Sequence, residues 1–212
     1  MTILYRLDCP AAEVAEQFGA LRGDDPWAGG HVAPGSFAPI ITTGREAIAG
    51  PRSPRQPRRM VPRLWGVPPP GAVLDARHGV LSVRNPDIPF WIGNLRNSEF
   101  RCLIPATSFM EWGQNRNSKG IDPTTDKRRQ HWFACTDQPL FAFAGVWKDS
   151  EVPSFALLTC EANAVLRACG AEAMPTILPA DPEAWQTWLD ADWDRARQLL
   201  APYSSSLMMD RG

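Results

Sequence analysis

The sequence predicts a single α+β domain, on three observations. Between Val80 and Thr159 lie six short runs of strand length, several rich in β-branched and aromatic residues. Near both ends lie segments whose apolar residues recur at helical spacing. The chain has 212 residues, 44% of them hydrophobic and nine of them Trp, which suffices for one sizeable core and is too little for two full-sized domains.

From the N-terminus, Pro10 to Leu21 reads as an amphipathic helix, with Val14, Phe18 and Leu21 on its apolar side and Pro10 where a first-turn proline is tolerated. Gly23 to Pro39 is rich in Gly, Pro and Asp and reads as a loop before a short strand, Ile40 to Thr43. The Pro/Arg-rich stretch 50–63 predicts an extended, hydrated loop or hairpin tip, after which Leu64 to Val67 resumes the fold. Strands are expected at Val80–Arg84, Phe100–Ile104, Phe109–Trp112, His131–Ala134, Leu140–Trp147 and Phe155–Thr159. The polar, Gly-containing segment 114–128 predicts a flexible hairpin tip. Glu161–Arg167 reads as a short helix. Pro182–Leu200 reads as one longer helix, with Trp185, Trp188, Leu189, Trp193, Leu199 and Leu200 on its apolar face.

A net charge of −1 excludes a protein that coats nucleic acid nonspecifically, although local basic stretches still supply a binding face. Arg52, Arg55, Arg58, Arg59 and Arg63 form one such stretch, and Lys127, Arg128 and Arg129 another; the competing reading is a solvated loop. The five cysteines, Cys9, Cys102, Cys135, Cys160 and Cys169, have no CxxC spacing, so neither a zinc knuckle nor a disulfide framework is predicted. Reduced thiols, an N-terminus without a secretory pattern and no span-length apolar run predict a cytoplasmic protein without a membrane segment. Nothing in the sequence calls for a metal or an organic cofactor.

The most informative segment is Cys102 to Trp112, CLIPATSFMEW, which sets one carboxylate, Glu111, among large apolar side chains. A carboxylate held there must be ion-paired, hydrogen-bonded or used in chemistry, because an unpaired buried charge is too costly. Both a structural glutamate and a catalytic one satisfy that condition.

Four further segments accompany it in order: HVAPG from His31, LWGVPP from Leu64, SVR from Ser82, and FALLTCEANAVL followed by MPTILP. Together with RCLIPATSFMEW they resemble the SOS-response-associated peptidases (SRAP), a family that processes abasic sites in single-stranded DNA. The resemblance runs from Tyr5 to about Leu189 and implies a curled, barrel-like sheet with peripheral helices. It also implies single-stranded DNA bearing abasic sites as the partner, with Glu111 beside the reacting carbon. Arg84 is implied as a phosphate contact, and Ser82 and Thr159 as further groove residues. The backbone at Trp65 and Gly66 is implied to line a groove for unstacked nucleotides. A monomer is expected, in a cellular or a phage-related role.

In that family the residue exposed by removal of Met1 attacks the open-chain aldehyde of the abasic site. Its α-amine, with a pKa of about 7.7 to 8.0 against about 10.4 for lysine, forms a Schiff base, and a cysteine thiol then closes a stable ring. Here that position is Thr2, and Thr2, Ile3 and Leu4 all depart from the family's opening. A hydroxyl closes such a ring poorly. Cys9 does not substitute, since it lies inside the chain without a free α-amine. The family's asparagine falls on Ser82, the histidine of its His-Asp-Arg-Met-Pro segment on Ala171, and the asparagine of its Asn-Val-Ala-Pro turn on His31. Replacing the lost imidazole would require His31 or His78 to approach the site. The expected activity is therefore abasic-site processing with weakened or lost crosslinking, Thr2 and Glu111 being the catalytic candidates. The alternative is a noncatalytic module that binds nucleic acid or a protein partner on the same fold.

Overall fold

A computed structural model of the chain describes residues 4–44, 57–69, 79–113 and 129–211. Thr2, His78, residues 50–56 of the Pro/Arg-rich stretch and the expected hairpin tip at 114–128 lie outside the described residues. In chain order the elements are β1 (Leu4–Leu7), α1 (Ala11–Gln17), β2 (Ala20–Leu21), β3 (Gly30–Val32), β4 (Phe37–Thr42), β5 (Arg58–Trp65) and β6 (Ser82–Val83). There follow α2 (Pro89–Arg96), β7 (Arg101–Ala106), β8 (Ser108–Trp112), β9 (Gln130–Cys135), β10 (Phe141–Lys148) and β11 (Ser154–Glu161). The chain ends with α3 (Ala164–Ala168), β12 (Ala173–Pro175), α4 (Pro182–Asp190), α5 (Trp193–Ala196) and β13 (Met208–Asp210).

Two sheets form. One has the order β13-β9-β8-β1-β3, the other the order β12-β11-β10-β7-β4-β5-β2. In the second sheet β5 also pairs with β11, in parallel, through Leu64 with Ser154 and Trp65 with Phe155. That pairing closes β4, β7, β10, β11 and β5 into a ring, so the expected curled sheet is present.

β7 and β10 at the middle of the ring are buried on both faces, and strand alternation sorts their side chains between two cores. On β10, Phe141 and Phe143 face inward with Trp65, Phe155 and Tyr5. The intervening Ala142, Ala144 and Val146 face outward under α1, α2, α4 and α5. At Gly145 the inner space is full: an added Cβ would lie 2.4 Å from Ile104 Cδ1 and 2.7 Å from Cys102 Sγ.

The helical layer is tied to the ring by buried polar groups. Trp188 Nε1 of α4 donates to the carbonyl of Cys102 at 2.9 Å. Arg101, fully buried at the start of β7, donates to the Leu95 carbonyl near the end of α2 at 3.3 Å and to the Ala191 carbonyl at the end of α4. Helix C-termini carry partial negative charge and orphan carbonyls, so one guanidinium serves two helix ends at once.

The chain passes from the ring to the five-stranded sheet between β7 and β8 with only Thr107 in between. The Thr107 amide donates to the Arg6 carbonyl at 2.7 Å and its Oγ1 accepts from the Asp8 amide at 3.2 Å. This corner is anchored to β1 and delivers Glu111 to the seam between the sheets.

Four local expectations are corrected. The loop predicted over 50–63 is strand from Arg58 onward, where β5 runs antiparallel to β4 from Thr42 opposite Arg59 to Phe37 opposite Leu64. Glu161 ends β11, and the helix predicted from it begins only at Ala164, capped by the Asn163 side chain accepting from the Leu166 amide. The helix predicted over Pro182–Leu200 breaks at Ala191, because Asp192 accepts from the Arg195 amide and starts α5. Gly30–Val32, predicted as loop, is a strand paired with β1.

Candidate functional site

The seam is built from β6 upward. This two-residue strand runs parallel to β11, with Ser82 beside Leu157 and Val83 beside Leu158. Thr159 Oγ1 donates to the Val83 carbonyl at 3.0 Å, and Trp65 Nε1 donates to the Leu81 carbonyl at 3.1 Å. Both clamps fix a strand too short to hold itself. β12 pairs with the other edge of β11 through Thr159 with Pro175 and Glu161 with Ala173. Across the seam β8 presents Glu111, only 1% exposed.

These elements enclose a cleft of about 280 Å³, counting its open mouth, lined by Ser82, Arg84, Glu111, Leu157, Thr159, Ala173, Met174 and Pro175. It adjoins a wider groove of about 1140 Å³ that shares Arg84, Thr159 and Ala173 and adds Pro86, Cys160, Glu161, Glu172 and Leu200 to Pro202. Arg84 is exposed and is the one cation among the described lining residues, facing Glu111, Glu161 and Glu172. Such a groove suits one or two phosphates held by Arg84, since the acidic wall repels a long polyanion. The Ser82 Oγ is shielded from solvent and has no hydrogen-bond partner among the described residues.

Four of the predicted residues, Glu111, Arg84, Ser82 and Thr159, therefore meet in one cleft. Trp65 and Gly66 do not line it. The Trp65 ring is fully buried, edge-on to Tyr5 at 5.2 Å and parallel to Phe155 at 6.4 Å. Its amide donates to Ser36 and its carbonyl accepts from Gly35, while the Gly66 amide donates to Phe155. Trp65 supports the site from beneath, through Leu81. Gly66, at φ 129°, takes a turn that favours glycine as the chain leaves β5.

Strand alternation separates His31 from the site. His31 pairs with Arg6, whose neighbour Tyr5 faces the core, and it packs edge-on to Trp132 at 5.8 Å on the opposite face from Glu111. The histidine beside Glu111 is instead His131, its direct partner on β9. His131 is 4% exposed, its ring is parallel to Phe133 at 6.2 Å, and its Nδ1 is 2.8 Å from Asp210 Oδ2. The sequence shows the strand carrying His131 but not its pairing with β8, so this neighbour was not legible.

Two thiols bear on the chemistry. Burial, aided by Glu13 and Asp8, pushes the Cys9 thiol up to about 11, so Cys9 is a poor nucleophile near neutrality. Burial likewise raises Cys169, with the charges of Glu111 and Asp210 adding to the effect. Among the described residues no cluster of His, Cys, Asp and Glu is arranged to hold a metal ion, and no helix is long and apolar enough to cross a membrane.

Known proteins share this architecture. A crystal structure from Bacteroides thetaiotaomicron superposes with a TM-score of 0.72 at 18% identity, covering 98% of this chain and 90% of the other. One from Bordetella bronchiseptica also gives 0.72, at 20% identity, covering 98% and 97%. A phage-related protein of B. bronchiseptica gives 0.65 at 18% identity, covering 98% and 92%. At the sequence level, the abasic site processing protein YoqW of Bacillus subtilis strain 168 is 29% identical over 159 residues, as is its counterpart in Bacillus phage SPbeta. Those residues are 68% of this chain and span 64% of either relative's length. Residues 1–211 match the family described as SOS response associated peptidase (SRAP). With nearly its whole length matched and its fold shared, the chain belongs to the SRAP family.

Proposed function

We propose that the chain acts in the response to DNA damage by binding single-stranded DNA at an abasic site and forming a reversible imine with the site's aldehyde. The observation that carries this reading is the convergence of Ser82, Arg84, Glu111 and Thr159 on one cleft at the sheet seam. Arg84 takes the phosphate next to the lesion, and the unpartnered Ser82 hydroxyl donates to a sugar or aldehyde oxygen. The relatives named for abasic site processing support the same reading.

The nucleophile in this proposal is the α-amine of Thr2, exposed when Met1 is removed. β1 is antiparallel to β8, with Leu4 opposite Met110, so the first described residue sits one position from Glu111. In imine formation the amine nitrogen bonds to the aldehyde carbon, and the two protons it loses leave with the carbonyl oxygen as water. Glu111 relays them, taking one from nitrogen and returning one to the departing hydroxyl, a contribution typically about 10² to 10⁴ for a positioned group. The Thr2 hydroxyl closes a ring poorly, so the adduct reverts by hydrolysis.

The test is an oligonucleotide with one abasic site, incubated with protein shown by intact mass to lack Met1. Adduct is expected with borohydride and is largely lost on heating without it. Thr2→Cys gains heat-stable adduct, while Glu111→Gln traps more slowly. No trapped product from wild type or Thr2→Cys overturns the catalytic reading and leaves a binding module, which Ala171, a buried residue without a proton to transfer, favours.

A further inference from the structure

Three neighbouring strands present an acid, a base and an acid in a row. Glu111 on β8 and His131 on β9 are direct cross-strand partners, which sets their Cβ atoms about 4.5 to 5.5 Å apart on one face. That face is the inner one: Phe109, two residues before Glu111, and Phe133, two residues after His131, both lie in the core between the sheets. On the far side Asp210 of β13 meets His131 Nδ1 at 2.8 Å. A carboxylate accepts only, so Nδ1 carries the proton of this bond and the ring's tautomer and orientation are fixed.

His131 does not line the cleft; Glu111 does. The imidazole stands behind the carboxylate, away from any bound nucleotide. The resemblance puts the family's histidine at position 171, and here Ala171 is buried beside Cys169, whose thiol feels the charges of both Glu111 and Asp210. The Glu111–His131–Asp210 row and the vacated position thus belong to one neighbourhood, reached from different elements.

We propose that His131, held by Asp210, is a positioning residue that supports Glu111 as proton relay in imine formation. This rests on the proposed function above. When Glu111 gives its proton to the departing hydroxyl, it becomes a carboxylate shut off from water. The His131 ring, oriented by Asp210, keeps that carboxylate in place beside it, and the proton Glu111 takes back from nitrogen restores the starting state. No oxidant, metal or further reactant enters the balance. Among the described residues, the groups facing His131 include Glu111, Asp210 and the Phe133 ring, with the charges of both carboxylates felt at Cys169.

The experiment measures single-turnover borohydride trapping on the abasic oligonucleotide for wild type, His131→Gln and Asp210→Asn, alongside Kd for the same oligonucleotide and the thermal midpoint. Asp210, on an edge strand with a side chain 38% exposed, gives a variant that keeps the fold if His131→Gln does not. Trapping slowed about 10²-fold in His131→Gln and about 10-fold in Asp210→Asn, with Kd and midpoint kept, is the expected result. Wild-type rates in both variants overturn the inference and leave the proposed function standing. Rates that fall only in step with Kd or midpoint assign His131 a structural role and also overturn it. A wild type that traps nothing overturns the proposed function, and this inference with it.

Discussion

Arg84 and Arg101 show how differently one side chain is used at two depths. Arg101 is sealed against two helix ends, where its charge is satisfied by carbonyls, whereas Arg84 stands exposed at the mouth of the cleft with no ion pair given by any described residue. A guanidinium so placed is available to phosphate. Arg84→Ala should weaken single-stranded DNA binding uniformly across sequences and reduce the salt slope of log Kd by about one phosphate contact. Fluorescence anisotropy over a salt series measures both, and an unchanged slope would remove Arg84 from the interface. The residues that meet in the cleft were legible where chemistry and local pattern coincide. Glu111 stands out because no strand core tolerates a carboxylate without compensation, and Ser82, Arg84 and Thr159 follow from ordered motifs. The backbone at Trp65 and Gly66, expected at the groove, lies apart from this cleft because its amides and the Trp65 carbonyl are taken by Ser36, Gly35 and Phe155, pairings that the sequence does not record.

At the scale of elements, a tight fit is found on β10, where Gly145 crosses β7 opposite Cys102. An added methyl meets Ile104 and Cys102 inside a ring whose strands cannot separate without breaking ladders. Gly145→Ala should destabilise the protein by about 1 to 3 kcal/mol, the usual cost of overpacking, read as a lower urea midpoint with an unchanged m-value. A neutral effect would mean that the Ile104 side chain swings aside. Strands with alternating or continuous apolar runs were legible as elements. Partner choice was not, because a strand's sequence records which face is buried and not which neighbour it meets. The break between α4 and α5 escaped notice for a related reason: Trp188 and Trp193 both continue the apolar pattern, while the signal for the break is one capping side chain, Asp192.

For the whole molecule, burying thiols has a consequence at alkaline pH. Burial raises Cys9 to about 11 and Cys135 to about 12, with nearby carboxylates adding to it. A folded-state pKa above the unfolded one means that the unfolded chain releases its protons first. Stability is therefore full below about pH 9, the ordinary thiol value, and declines as pH rises toward 11 to 12. The urea midpoint should fall between pH 8 and pH 10.5, and the double variant Cys9→Ala, Cys135→Ala should flatten that part of the profile. A profile equally steep in the double variant would assign the effect to other groups. The α+β class was legible because strand-length runs fill the middle of the chain and helix-period segments lie near its ends. The closure of one sheet into a ring was not, since the residues that close it are Leu64, Trp65, Ser154 and Phe155, far apart in sequence.

That closure also orders events in time. The parallel pairing of β5 with β11 joins residues about ninety positions apart, whereas the pairing of β10 with β11 is local. Loop-closure entropy makes the distant pairing costly until most of the sheet exists to reward it. The ring should therefore shut after the main barrier to folding, and weakening the latch should hasten opening more than it delays assembly. Trp65→Phe is expected to raise the unfolding limb of the chevron while leaving the folding limb almost in place, a φ-value near zero. Because Trp65 also holds the chain just before Ser82, through the Leu81 carbonyl, late shutting of the ring would make the cleft the last part to form, and a chain caught just short of it would be compact with its cleft unmade.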